Sequence, residues 1–265
     1  MTTGEEVLEL RRARWRRARS PLLLADATSS DFARGGLAGH VAELSVRFIV
    51  LPADPERAVV LFDEDFWEWW RAERDNPFPG QRTQWGYSRS PTGEAAAIHD
   101  QVRNQAWAWG TYLAVHRSGA LEFGLGRSGV YEWRDQRVLR LIEVVGRVWC
   151  AVDLYGDVVD RFGLQGPWES SLALRETKDA QLGNVAQGWA EPGEGAGDLL
   201  PCPESNLLFT REAEEWPRGD AARALAFEFG SAVDESWGAT QPRFIARRGP
   251  TEGEFDYQMF RGAIG

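Results

Sequence analysis

Residues 138–162 have the sequence VLRLIEVVGRVWCAVDLYGDVVDRF, and this stretch decides the fold of the chain. Its apolar residues recur every three or four positions, the spacing that places them on one face of a helix. Charged residues occupy the opposite face, beginning with Arg140, Glu143 and Arg147. Gly163 follows directly and favours the left-handed backbone that ends a helix. The pattern predicts one long amphipathic helix with a buried apolar side.

Short β-strands are predicted on both sides of this helix. Residues 43–51 alternate between apolar and polar side chains, as in a half-buried strand, and residues 58–62 return after a proline-containing turn. Residues 111–116 and 121–123 flank a Ser-Gly turn and predict a hairpin, and residues 168–174 predict a further strand. The chain is therefore predicted to be α+β, with antiparallel hairpins packed against the long helix.

Three further segments between these strands have recognisable local patterns. Asp63, Glu64 and Asp65 favour the start of a short helix whose buried side would carry Phe66 and the tryptophans after it. Residues 76–93 hold three prolines and three glycines and predict a long ordered loop. The segment around His99-Asp100 is interpreted as helical.

Composition divides the chain into a main domain and two smaller parts. Residues 191–203 contain three Pro and three Gly among acidic residues, a composition that predicts an exposed linker. After it, strands at 206–209 and 244–247 and a helix at 220–237 predict a small α+β unit. The predicted organisation is a basic helical arm and hinge (1–36), an α+β core domain (37–190), the linker (191–203) and the small C-terminal unit (204–265).

The composition also excludes several classes of protein. The net charge of -10 argues against a uniformly basic surface for nucleic acid. No apolar run reaches the length of a membrane span, and the N-terminus lacks the apolar segment of a signal peptide, so we expect a cytoplasmic protein that does not contact a membrane. With two cysteines and three histidines, the chain offers no disulfide framework and no zinc-type ligand cluster. Neither a metal nor a cofactor is expected.

Six arginines concentrate positive charge near the N-terminus. They lie within a predicted helix over residues 5–19, and they are Arg11, Arg12, Arg14, Arg16, Arg17 and Arg19. Guanidinium groups bind phosphates in a forked geometry, so this arm is the best candidate for contact with DNA or RNA. The alternative is that the arm docks on the acidic body of its own chain or on a protein partner.

Glu176-Thr177-Lys178 is the candidate for a catalytic site. If the triplet continues the preceding strand, Glu176 and Lys178 point the same way. Together they could then hold a metal ion and polarise a water molecule, as restriction-type nucleases require. Lys178 is the only lysine in the chain. A nuclease would also need an Asp or Glu from a neighbouring strand within reach of both residues, and the alternative interpretation is an ion pair at the end of a strand.

Two other motifs have structural interpretations. Residues 124–129, Gly-Leu-Gly-Arg-Ser-Gly, have the spacing of a dinucleotide-binding loop, but the residues that follow are predicted to be extended, not helical. We therefore interpret the motif as a glycine-rich connection between strands. His40, His99 and His116 lie beside no recognisable nucleophile motif and are interpreted as polar or core histidines.

The hairpin sequence Val115-His116-Arg117-Ser118-Gly119-Ala120-Leu121-Glu122 resembles the pattern FRNGxIE of bacterial proteins with a Schlafen-like, Alba-type DNA-binding domain. The long helix, Pro167 and the strand with Ser171-Leu172-Ala173-Leu174 up to Lys178 continue the similarity, which spans about residues 107 to 185. The resemblance is to the C-terminal region of those proteins, without their N-terminal domain. It implies an accessory half that works beside a separate effector, for example in bacterial antiviral defence, and it assigns no catalytic residues.

The sequence thus favours a non-enzymatic module that assembles with a protein partner or with a second copy of itself, on nucleic acid if the arginine arm binds phosphate. A metal-dependent nuclease using Glu176 and Lys178 is the alternative.

Overall fold

The structure is a computed structural model that describes residues 45–52, 60–71, 85–89, 95–100, 111–125, 130–133, 136–183 and 201–239. Within these residues the strands are β1 Ser45–Leu51, β2 Trp85–Arg89, β3 Ala95–Asp100, β4 Thr111–His116, β5 Leu121–Leu125, β6 Val130–Trp133, β7 Gln136–Arg140, β8 Trp168–Arg175, β9 Gln181–Gly183 and β10 Asn206–Ala213. The helices are α1 Glu64–Arg71, α2 Leu141–Phe162 and α3 Asp220–Ser236.

Seven of the described strands form one antiparallel sheet in the order β10-β8-β1-β5-β4-β3-β2. The other three form a smaller sheet in the order β6-β7-β9, in which β7 and β9 run parallel. The α+β class and the long helix are confirmed. The predicted hairpin is confirmed as β4 and β5, because the His116 amide donates to Ala120 O (2.8 Å) and Gly119 takes a φ of 78°.

Both faces of the central strand β1 are buried. Val46, Phe48 and Val50 belong to the main hydrophobic core together with the apolar side of α2, and we call this side of the sheet the core face. Arg47 and Ile49 point to the opposite side, the far face, and are also buried. The prediction of a half-buried strand was therefore wrong for β1, because Ile49 and Leu51 on its far face pack with Ala120 in a second buried cluster.

Helix α2 ends as its sequence predicts. Gly163 has a φ of 59°, and its backbone amide caps the helix by donating to Val159 O. The buried side of α2 meets an aromatic cluster in which Tyr155, Trp168 and Trp216 have edge-to-face contacts with centroid distances of 4.7 to 5.7 Å. The indole of Trp216 also donates to Val152 O (3.0 Å), so the cluster joins α2 to the segment that leads into α3.

Helix α1 begins as predicted. The amide of Phe66 donates to Asp63 Oδ1 (2.8 Å), which is the bond of an N-terminal cap. Phe66 and Trp70 are buried, whereas Trp67 and Trp69 are half-buried.

Three local predictions were wrong. Residues 60–62 of the predicted strand 58–62 lie outside any strand, and Val60 instead donates its amide to Arg117 O (3.0 Å). The predicted loop 76–93 contains β2, and the segment with His99 and Asp100, predicted to be helical, is β3. In both segments, pairing along the sheet, from β4 to β3 and on to β2, overrides a weak local signal.

The long helix begins three residues later than its periodicity predicts. Residues 136–140 form β7, which pairs with β6 and with β9, and Arg140 has an extended backbone with φ -85° and ψ 92°. Val138 and Leu139 are buried in a strand as they would be in a helix, so the apolar pattern continues across the junction.

The residues after the predicted linker share the sheet and the core of the residues before it. β10 pairs with β8 over eight residue pairs, and Phe229 of α3 packs edge-to-face on Phe48 of β1 with a centroid distance of 5.5 Å. The predicted strand and helix at 206–209 and 220–237 are confirmed, but the described part of 204–265 does not form a core of its own.

The end of the predicted linker is also held in place. Cys202 is buried, and its backbone amide donates to Ala180 O (3.0 Å). Residues 201–203 therefore belong to the folded body, and only 191–200 remain a predicted connector. The arginine arm and the predicted strand at 244–247 lie outside the described residues.

Candidate functional site

Glu176 and Lys178 are not brought together as a catalytic pair. β8 ends at Arg175, and Glu176 has a φ of 55°, so the alternation that would aim both side chains the same way has stopped. Both side chains are exposed. Arg137 instead binds the backbone of this turn, donating to Glu176 O (2.8 Å) and to Lys178 O (2.6 Å). The turn is a structural junction between β7 and β8.

The described residues also contain no group of three His, Cys, Asp or Glu side chains placed to hold a metal ion. Thr177, between the two candidates, is buried and donates its hydroxyl to Glu204 O (2.6 Å). Within the described residues, therefore, no further carboxylate joins Glu176 in a metal site.

The far face of the sheet buries charged side chains that sequence reasoning missed. His116 Nε2 lies 3.6 Å from Glu122 Oε2, and the two residues are 3% and 0% exposed. Register explains the contact, because Glu122 is opposite Ala114 on the adjacent strand and His116 lies two residues further along the same face. The separation of 3.6 Å is longer than a hydrogen bond, and a substrate in solution does not reach groups that are buried to this extent.

Other polar residues extend this row across the sheet. Arg47 is two residues from Ile49, the partner of Glu122, and it donates to the carbonyls of Val46 (2.9 Å) and Leu125 (3.5 Å). Glu169 is opposite Leu51 and is also buried. Buried charges of this kind fix register and packing more than they add stability. We interpret the row as part of the architecture of the sheet.

A second buried ion cluster lies at the start of α2. Glu143 lies 3.6 Å from Arg147 Nη2 and 3.7 Å from Arg140 Nη1. Burial raises the pKa of the Glu143 carboxyl above its ordinary value, against the opposing pull of the two guanidiniums. Burial likewise raises the pKa of the Cys150 thiol to about 12, so this thiol is not a nucleophile at neutral pH.

One candidate binding surface is the outer edge of β10, an end strand of the main sheet. β8 pairs with one side of β10, and on its other side no further strand lies within the described part of the chain. The pairing with β8 is continuous over residues 206–213, so no bulge twists the strand away from a partner. Half of the backbone N–H and C=O groups of an edge strand point outward, where another strand can bind them.

The side chains of β10 alternate as the backbone requires. Leu207 and Phe209 face the core and are half-buried at its end, whereas Leu208 faces the opposite side and is 67% exposed. Thr210 is exposed next to Leu208, although its hydroxyl lies 3.1 Å from Ser171 Oγ. Helix α3 supports the strand from the core side through the pair Arg211–Glu228 (3.1 Å).

We call this surface the β10 edge, meaning the outer backbone of residues 206–213 with the exposed side chains of Asn206, Leu208, Thr210 and Glu212. The sequence had indicated a strand here, but not its position at the edge of the main sheet. Position at an edge depends on pairing with β8, about 35 residues earlier in the chain, which a local pattern does not encode.

Comparison of the chain with models of protein families, with curated proteins and with solved structures found no match in any of the three. The resemblance to Schlafen-like proteins therefore stays a prediction. Among the described helices, none combines the length and the apolar character needed to cross a membrane.

Proposed function

We propose that the protein is a non-enzymatic interaction module that binds an extended segment of a protein partner along the β10 edge. The observation that carries the proposal is the combination of an unbulged edge strand with an exposed leucine at its middle. Natural sheets protect exposed edges with prolines, charged side chains or bulges. Residues 206–210, Asn-Leu-Leu-Phe-Thr, have none of these, and the charged side chains of the strand begin only at Arg211.

The mode of binding follows from the geometry of strand addition. The outward backbone groups of β10 supply the hydrogen bonds, and alternate side chains of the partner strand contact Leu208 on one face and Phe209 on the other. Because α3 and β8 already hold the strand in place, little conformational entropy is lost when a partner binds. The nuclease alternative has no such support, since Glu176 and Lys178 are exposed at a turn and do not converge.

Site-specific photo-cross-linking in the cells that make the protein tests this proposal. A photoreactive residue is placed at Leu208 in one variant and at Ala224, an exposed position in the middle of α3, in a matched control. We expect the variant at 208 to cross-link to one defined peptide segment, which is then identified by mass spectrometry. Equal cross-linking from the two positions contradicts the proposal.

Binding of that peptide in isolation supplies the second measurement. Leu208→Glu removes an exposed apolar contact and leaves the core intact, so we expect affinity for the synthetic peptide to fall about tenfold or more while thermal stability is unchanged. An unchanged affinity would place the binding surface elsewhere. Contact with nucleic acid through the arginine arm, and a role in antiviral defence, remain separate predictions from the sequence.

A further inference from the structure

The β10 edge has a sequence that is complementary to itself. In an antiparallel pair of identical strands, opposite residues must lie on the same face, so their numbers sum to an even value. Each possible register therefore brings a particular set of side chains together. Each of the two neighbouring registers places Glu212 opposite either an apolar side chain or another glutamate.

One register places every side chain of the strand favourably. With Phe209 opposite Phe209 of a second copy, Leu208 lies opposite Thr210 and Asn206 opposite Glu212. Arg211 then lies opposite Leu207, where its aliphatic stem can cover an apolar neighbour. A shift of one step towards the C-terminus sets the exposed Leu208 against Glu212. A shift of one step the other way sets Leu208 against Leu208, but it separates the two Phe209 side chains and places Glu212 near Glu204, two residues before the strand begins.

Two apolar side chains on the core side of the strand remain half-buried at this edge. Leu207 and Phe209 are packed against the main core, and Arg211, next on the same side, pairs with Glu228 of α3. A second copy of β10 would bring a second Phe209 against the first, and aromatic pairs across neighbouring strands stabilise antiparallel sheets.

We propose that the β10 edge pairs antiparallel with the β10 edge of a second copy of this chain, with Phe209 opposite Phe209, so that the seven described strands of each copy continue into one sheet. The proposal rests on the proposed function, since it names the partner segment for the same surface. It requires no rearrangement of β8 or α3, both of which lie on the other sides of the strand.

Disulfide trapping tests the register. Leu208→Cys and Thr210→Cys are purified separately, mixed and exposed to mild oxidant, and the products are separated by non-reducing electrophoresis. We expect a disulfide-linked dimer in the mixture, because only this register brings residues 208 and 210 of two copies within bonding distance. Cys202 is buried and the Cys150 thiol stays protonated, so the native cysteines do not compete. Ala224→Cys mixed with Leu208→Cys is the control and should give no dimer.

A charge exchange gives an independent readout by sedimentation equilibrium. Asn206→Glu places a glutamate opposite Glu212 twice in each dimer, so we expect the dimer dissociation constant to rise roughly tenfold. Glu212→Lys added to that variant converts both contacts to opposite charges and should restore dimerisation. Both residues are exposed, so the folding of each copy should not change.

The outcomes separate this inference from the proposed function. Any one of three results would overturn the dimer. They are cross-links only within a single cysteine variant, no cross-link at all, and a protein that remains monomeric in sedimentation. If the photoreactive residue at 208 then reacts with a segment of another protein, the β10 edge still binds a partner. If it reacts with residues 206–213 of a second copy, both proposals stand.

Discussion

Two buried side chains of opposite charge lie together near the start of the long helix. Glu143 and Arg147 lie one turn apart on α2, and both are buried. A carboxylate in such a place is costly unless a cation compensates it, and burial raises the pKa of Glu143 although Arg147 lowers it. The arginine therefore supports ionisation of the glutamate at neutral pH.

Arg147→Met should destabilise the protein in a pH-dependent way. Without the guanidinium the pKa of Glu143 rises further, and stability contributed by a carboxyl whose folded pKa is raised is lost as pH increases through that pKa. Near pH 4.5, the ordinary value for this carboxyl, the variant should therefore lie closest to the wild type. By about pH 7 we expect it to be less stable by about 3 kcal/mol, measured by urea unfolding.

Arg140→Met is the matched control for this prediction. Arg140 lies at a similar distance from Glu143, but 32% of its side chain is exposed to solvent. Removing the Arg140 guanidinium should lower the free energy of unfolding much less, because water can replace the lost contact. A loss in Arg147→Met that does not vary with pH would show that Arg147 acts through packing and not through charge.

At the scale of elements, the junction between α2 and the segment before α3 depends on a glycine. Arg218 donates to Gly156 O (2.5 Å) and pairs with Asp160 (2.7 Å), so its guanidinium lies directly on the surface of α2. A Cβ at position 156 would be 2.0 Å from Arg218 Nη1. Gly156 is therefore the residue that lets Arg218 dock.

Gly156→Ala should change stability differently in the wild type and in Arg218→Ala. Alanine stabilises the middle of a helix by about 1 kcal/mol over glycine, but in the wild type it must displace Arg218 and so lose the two contacts. In the wild type we expect the free energy of unfolding to stay the same or to fall. In Arg218→Ala we expect it to rise by about 0.5–1 kcal/mol, measured by chemical unfolding of the four proteins. Additive effects would mean that Arg218 does not contribute to the junction.

The elements that sequence reasoning found are those with local signals. The β4–β5 hairpin follows from a Ser-Gly turn, and Gly163 ends α2 with the left-handed backbone that glycine favours. The start of α2 was missed because Val138 and Leu139 suit either a strand or a helix, and only pairing with β6 and β9 decides between them. β6 directly precedes β7, but β9 follows only after α2 and β8, so a local pattern does not show this pairing.

The candidate site was predictable only in part, for the same reason. The strand at 206–209 could be identified from its apolar residues, but its exposure at the sheet edge depends on where β8 lies. Glu122 has no local signal of burial, and the structure places it on the buried far face of the sheet beside His116. The spacing of Glu176 and Lys178 predicted a shared direction only if the strand continued. The positive φ of Glu176 shows that the strand has ended before them.

For the whole molecule, the described parts of the chain before and after the predicted connector form one folding unit. The two sides share the seven-stranded sheet and a single main core within the described residues. The contacts that join them include the indole of Trp237, which donates to Ala180 O (2.8 Å), and the packing of Phe229 on Phe48. These contacts do not depend on a continuous chain between residues 183 and 201.

Cutting the connector should therefore leave the protein assembled. A protease recognition sequence inserted after Gly195 allows one cut, and we expect both fragments to elute together in gel filtration and to melt in one transition. The melting temperature should fall, because the cut chain gains conformational entropy on unfolding. In Phe229→Ala, where the lost core contact costs about 3–5 kcal/mol, the cut fragments should separate more readily. Two independent transitions, or separation of the fragments in the wild-type background, would instead support a C-terminal unit that folds by itself.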